Sequence, residues 1–227
     1  MTVRAHGLVG VADAGAFLAR VTRLEPGALV RLRGTAQRTA LWARLPWDVL
    51  VTRTVAGAGP PDATVSAADL LRHLAGGDPS LPPVRDEQWR WALPPSGPAA
   101  TAVESVAVAE FARLAQAAAG TLRAAAAQGV AGRAVGQRQL RDALLDHVAL
   151  VVQPPVGEPV SVPQRLVQAV VRMGFLGAAS SIADGDAAVA SVLTAGRWLG
   201  ISAPYGTCWL QTVKTLTVVP ISGDPNG

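Results

Sequence analysis

Arginine is the residue type whose placement carries the most chemistry in this chain. Arg31, Arg33, Arg38, Arg44 and Arg53 stand close together, with Asp48 as the only acid among them, a local net charge of +4. The whole chain holds 20 Lys and Arg against 16 Asp and Glu, also +4. The excess positive charge is therefore one patch in sequence. A guanidinium group presents a planar fork of donors that fits carboxylate and phosphate, so such a patch suits the holding of an anion rather than the breaking of a bond. Arg31, Arg33, Arg38 and Arg44, with Trp42 among them, are the candidate contacts. The matching partner is an anionic ligand, a nucleic acid or an acidic protein surface. The structural alternative is an outer face that these arginines merely solvate.

Other reactive residue types lack the surroundings that chemistry needs. Cys208 is the only cysteine, so no internal disulfide framework exists. Gly200-Ile201-Ser202-Ala203-Pro204 misses the nucleophile-elbow pattern at its last position. His147 falls on the apolar stripe of a predicted helix with Leu140, Leu144 and Val151, the setting of a core histidine. Asp142 and Asp146 share a helix face with Arg138, which reads as a solvated charged stripe. No histidine has a cysteine at zinc-ligand spacing. Lys214-Thr215 lacks the preceding glycine of a phosphate loop. Gly129, Gly132 and Gly136 have the wrong spacing for a dinucleotide loop, and Asp184-Gly185-Asp186 lacks the later ligands of a calcium loop. No cofactor or metal is expected. The leading expectation is a non-catalytic binding or regulatory protein. Its rival is an enzyme acting on a phosphate- or carboxylate-bearing substrate, with the same arginines as anchors.

The elements that position the patch follow from periodicity. Asp13–Leu24 reads as a helix with Ala14, Phe17, Leu18 and Val21 on one stripe. Three strand-like runs follow, Ala28–Arg33, Thr39–Leu45 and Trp47–Ala56, joined by links short enough for an antiparallel meander. With a turn centred on Thr35-Ala36, Arg33 stands across from Arg38. Alternation then puts Val30, Leu32, Leu41, Ala43 and Leu45 on one face and the arginines with Trp42 on the other. Ser66, with Asp69 three residues on, starts a helix near Ala67–Leu74 that Gly76-Gly77 stops.

A proline-rich stretch, Asp78 to Ala100, separates a lobe of residues 1–98 from one of 99–227, although a single domain also fits. The second half reads as helical. Thr101–Gln128 forms a long helix whose seam of Val103, Ala107, Phe111, Leu114 and Ala118 suits a helix contact within the chain or a homo-oligomer. Further helices are expected over Gln137–Gln153, Ser161–Phe175 and Asp186–Leu193. A hairpin of Arg197–Ser202 and Thr207–Val213 closes the chain, with Leu216–Val219 as a further strand. A two-residue turn groups Cys208 with Leu199, Ile201 and Leu210, whereas a three-residue loop groups it with Trp198, Ser202 and Leu210. From Gln137 to Val213 the order of helix, helix, short helix and hairpin is similar to a winged helix-turn-helix. That resemblance implies a groove-reading helix at Asp186–Leu193, yet that segment has no arginine, lysine, asparagine or glutamine.

The fold class is therefore α+β: an N-terminal antiparallel meander with flanking helices, then a helical half closed by a hairpin. Half of the residues are hydrophobic, enough to fill a core at this length. No run approaches the roughly 20 apolar residues that span a membrane, and a cytoplasmic location is expected.

Overall fold

The computed structural model describes residues 4–95, 99–128, 137–177 and 188–212. The first half runs α1 (Val11–Leu24), β1 (Leu29–Gly34), β2 (Arg38–Arg44), β3 (Leu50–Ala56), β4 (Ala63–Ser66) and α2 (Ala67–Gly76). The second half runs β5 (Thr101–Ala107), α3 (Val108–Gln128), α4 (Gln137–Asp146), β6 (Val148–Val152), β7 (Val160–Pro163), α5 (Gln164–Arg172), β8 (Val189–Ala195), β9 (Trp198–Ala203) and β10 (Gly206–Gln211). The class is α+β. Eight strands make one antiparallel sheet in the order β4-β1-β2-β3-β10-β9-β8-β5, and β6 pairs with β7 apart from it. The pairing of β10 with β3 joins the strands of the two halves into one layer.

The meander forms because alternation separates its faces. Val30, Leu32, Leu41, Ala43, Val51 and Val55 are buried in one cluster with Ala14, Phe17, Leu18 and Val21 of α1. Ser66 caps α2, its hydroxyl accepting from the Asp69 backbone N–H at 3.2 Å, and Gly77 closes the helix in the left-handed conformation at φ 69°. In the second half α3 packs on α5. Phe111 is fully buried in the same cluster as Leu166, Val170 and Ile201, so the α3 seam is covered from within the chain. No helix of the described residues is long and apolar enough to cross a membrane.

Several expectations change. The β1–β2 register is Leu32 opposite Leu41 and Gly34 opposite Thr39, two residues from the expected one, so the faces survive but Arg33 meets Ala40. Residues Thr101–Ala107 are a strand, drawn out of the helical pattern by pairing with β8. The expected helices over 137–153 and 161–175 each contain a strand, β6 and β7, which pair with each other. Val189–Ala195 is also a strand, lying between β9 and β5 in the eight-stranded sheet. The winged-helix order therefore fails at its groove-reading element. His147 is exposed at the α4–β6 junction, not in the core. Asp184 to Asp186 and Leu216–Val219 lie outside the described residues.

Candidate functional site

On β2, Arg38, Ala40, Trp42 and Arg44 alternate with the buried Thr39, Leu41 and Ala43. Arg31 stands opposite Trp42, and Arg33 opposite Ala40. Arg31, Arg33, Arg38, Trp42 and Arg44 thus share the face of the sheet that the helices leave bare. Arg53 does not join them. It lies opposite Leu41 and reaches Asp13 of α1 at 2.7 Å and the Tyr205 carbonyl at 2.8 Å.

The four arginines of the outer face have different surroundings. Arg31 forms a bidentate pair with Asp62, both nitrogen–oxygen distances being 2.7 Å. That hydrogen bond holds the Asp62 carboxyl below the usual carboxylate range and raises the Arg31 guanidinium. Arg44 pairs with Asp48, and its partial burial lowers its pKa. Asp48 itself adopts φ 68° at the β2–β3 turn, a left-handed conformation that aspartate tolerates better than most residues. Arg33 is half exposed and only 3.8 Å from Asp62. Arg38 is exposed at the hairpin and makes no ion pair among the described residues.

An aromatic layer explains why Arg31 and Arg44 are held. Trp89, Trp198, Trp209 and Leu50 are buried together on this face, with Trp42, Trp91 and Leu93 packed against them. The segment after α2 wraps the β4 edge on its way there: the Arg85 N–H donates to the Thr64 carbonyl, and Asp86 accepts from the Thr64 N–H at 2.6 Å. It then lays Trp89 and Trp91 on the sheet, edge to face at 5.1 Å. Arg31 sits 5.8 Å from the Trp89 ring centre and Arg44 5.0 Å from that of Trp91. Opposite Trp209 stands Gly200, where a Cβ would lie 2.6 Å from the indole; only glycine leaves it room. The cleft beside Arg44, about 330 Å³, includes Trp91 and Gln88 but neither Asp48 nor His147.

Cys208 stands opposite Ile201, and Leu210 opposite Leu199, across a two-residue Pro204-Tyr205 turn. The thiol is fully buried, and burial raises its pKa well above the usual value. Among the described residues no group of three or more His, Cys, Asp or Glu side chains is placed to hold a metal ion.

A second concavity lies on the helix side. About 470 Å³ in volume, it runs along α5, whose Gln164, Gln168 and Arg172 form one stripe four residues apart. Arg23, Leu24 and Glu25 from the end of α1, Leu122 of α3, Leu144 of α4 and Trp47 complete the wall. Trp47 is fixed there reciprocally: its indole N–H donates to the Arg165 carbonyl at 3.2 Å, and the Arg165 guanidinium donates to the Trp47 carbonyl at 3.3 Å. None of these residues was a candidate from sequence. The available signal was the polar stripe on a helix whose buried apolar positions are Leu166, Val167, Ala169 and Val170.

With this geometry in view, the fold is similar to that of solved DNA polymerase sliding clamps. The chain is similar to the DNA polymerase sliding clamp from Pseudomonas aeruginosa, at 14% identity and TM-score 0.53, over 97% of this chain and 69% of that one. It is similar to the sliding clamp from Bartonella birtlesii at 12% and 0.53, over 97% and 69%. The DNA polymerase III beta subunit from Thermotoga maritima matches at 11% and 0.50, over 92% and 64%. At these identities the likeness is one of fold. By sequence the chain belongs to the family described as a domain of unknown function (DUF8185), whose pattern matches residues 94–215. Residues 2–91 match a second family, a domain of unknown function (DUF8010). No curated protein matches the chain.

Proposed function

We propose that this protein is a non-catalytic binding module that holds a DNA backbone against the outer face of its N-terminal strands. The observation that carries this reading is the likeness in fold, over nearly the whole chain, to clamps that serve DNA polymerases. The surroundings of the arginines support a division of labour. Arg33 and Arg38, exposed beside the β1–β2 hairpin, are the phosphate contacts. Arg31 and Arg44, each tied to a carboxylate and an indole, are the frame that keeps the hairpin in place. Trp42, half buried in the aromatic layer, belongs to that frame. Two lobes, 1–98 and 99–227, are proposed as its building units; the two family matches, which leave only residues 92 and 93 between them, support this division.

Fluorescence anisotropy with a labelled DNA duplex at several salt concentrations tests the reading. Binding should weaken with salt by a slope of about 0.9 per phosphate contact, and Arg33→Ser with Arg38→Ser should lower that slope by about 2. Absence of binding even near 50 mM salt, a low concentration for such contacts, would reject DNA as the partner.

A further inference from the structure

We propose that the helix-side cleft along α5 is a binding site for a small amphipathic carboxylate, a molecule with an apolar body and one anionic head. This inference is independent of the DNA reading, since the cleft lies on the opposite side of the sheet from Arg33 and Arg38. Its key residue is Gln164, the first residue of α5. Gln164 is 3% exposed, and its Nε2 is buried with no hydrogen-bond partner among the described residues. Its backbone N–H already donates to the His147 carbonyl at 2.8 Å, so the helix start is satisfied and the side-chain amide is not needed as a cap. A buried amide donor left without an acceptor is costly, which makes it the group that a ligand oxygen would satisfy.

The remaining wall fits the rest of such a ligand. Leu122, Leu144 and Trp47 supply apolar surface for a hydrocarbon body. Arg23 and Arg172 stand at the same cleft, neither in an ion pair among the described residues, and Glu25 is the one carboxylate in the lining. Two guanidinium groups against one carboxylate leave the cleft net positive, which favours an anionic head over a cationic or neutral one. At about 470 Å³ the volume falls in the range of small-molecule sites. A carboxylate oxygen accepting from Gln164 would give its Nε2 the acceptor it lacks, and Arg172, on the same stripe of the helix, adds favourable charge for the anionic head.

Isothermal titration of the full chain with octanoate, 1-octanol and inorganic phosphate separates the head from the tail. Octanoate should bind one-to-one and saturably, at least about tenfold tighter than either control, as expected for one charge-assisted hydrogen bond. Arg172→Gln should weaken octanoate by about tenfold. Gln164→Leu should weaken it similarly while leaving the melting temperature unchanged or raised, since the substitution removes an unpartnered buried donor. If Gln164→Leu fails to fold, Arg172→Gln, an exposed position, decides alone. Octanol binding as tightly as octanoate, phosphate binding as tightly, unaltered affinity in Arg172→Gln, or no saturation would each overturn the proposal.

Discussion

The two faces of the eight-stranded sheet are buried in unlike ways. On the helix side, aliphatic residues such as Leu32, Leu41, Ile201 and Cys208 meet helices whose own stripes are apolar. On the outer side the cover is a proline-rich segment whose described residues hold a single 3-10 turn, Asp86–Gln88. That segment has few apolar residues to offer, and it compensates with large ones. Trp89 and Trp91 pack on Trp42, Trp198 and Trp209, and arginine stems lie across the indoles, a use of long cationic side chains as apolar cover. A helix covers a sheet with many small contacts; an irregular segment needs a few broad ones. The difference also decides where charge can be spared for a partner, because the outer face must keep arginines near its surface.

The largest effects should come from the helix side. Phe111→Ala should cost about 3–5 kcal/mol in chemical denaturation, because the ring is fully buried between α3 and its neighbours. A loss below about 1 kcal/mol, typical of surface sites, would mean that α3 does not pack as described. Neighbouring residues of β2 compare the faces directly. Leu41→Ala should cost about 3 kcal/mol and Trp42→Ala about half as much, since Leu41 is fully buried and Trp42 is not. Equal losses would remove the distinction between the two covers.

Most of the first half of the molecule was legible in sequence, and the reasons are local. Strict alternation over Arg38–Arg44 identified β2 and its faces, while the Ser66 cap with Gly77 bounded α2 within two residues. The Arg33–Arg38 opposition failed because the chain makes a longer link, in which the Thr35 N–H donates to the Arg38 carbonyl at 2.8 Å. The second half misled for one repeated reason. Thr101–Ala107, Val148–Val152 and Val189–Ala195 are short runs made mostly of Ala and Val, which suit a helix or a strand equally. Only their partners across the sheet decide between the two, and those partners are distant in sequence. The helix-side cleft was missed because its residues come from four helices and a loop, and no window of sequence contains them together.

A smaller effect should appear where the outer cover begins. Residues 79–81 are clasped to the N-terminal segment by the Ala5–Ser80 bridge, the His6 N–H to the Pro79 carbonyl and the Leu81 N–H to the Arg4 carbonyl. His6 is buried and its Nδ1 accepts from the Leu8 N–H at 3.0 Å. Burial lowers its pKa, against a smaller opposing effect of Asp78. The unfolded chain, with histidine near 6.5, therefore binds more protons than the folded one. This contribution is complete above that value and is lost as pH falls through the folded pKa. Between about pH 7.5 and 5, around the ordinary histidine pKa, the melting temperature should fall more for the wild type than for His6→Asn. Parallel curves would show that the clasp does not titrate. The smallest effect belongs to the Arg31–Asp62 pair: Asp62→Asn should cost about 0.2–1 kcal/mol at neutral pH, given its exposure, and nothing at acid pH where the carboxyl is already protonated.

The central claim is that the outer face, not the helix face, holds DNA. Affinity for one labelled DNA duplex should be compared between Arg33→Ser/Arg38→Ser and Arg20→Ser/Arg123→Ser, the latter pair on α1 and α3. Our account predicts that the first variant loses about tenfold or more at moderate salt while the second stays within about twofold, since each lost phosphate contact removes one counterion-release step. Loss confined to the α1/α3 variant would contradict it and move the partner to the helix side.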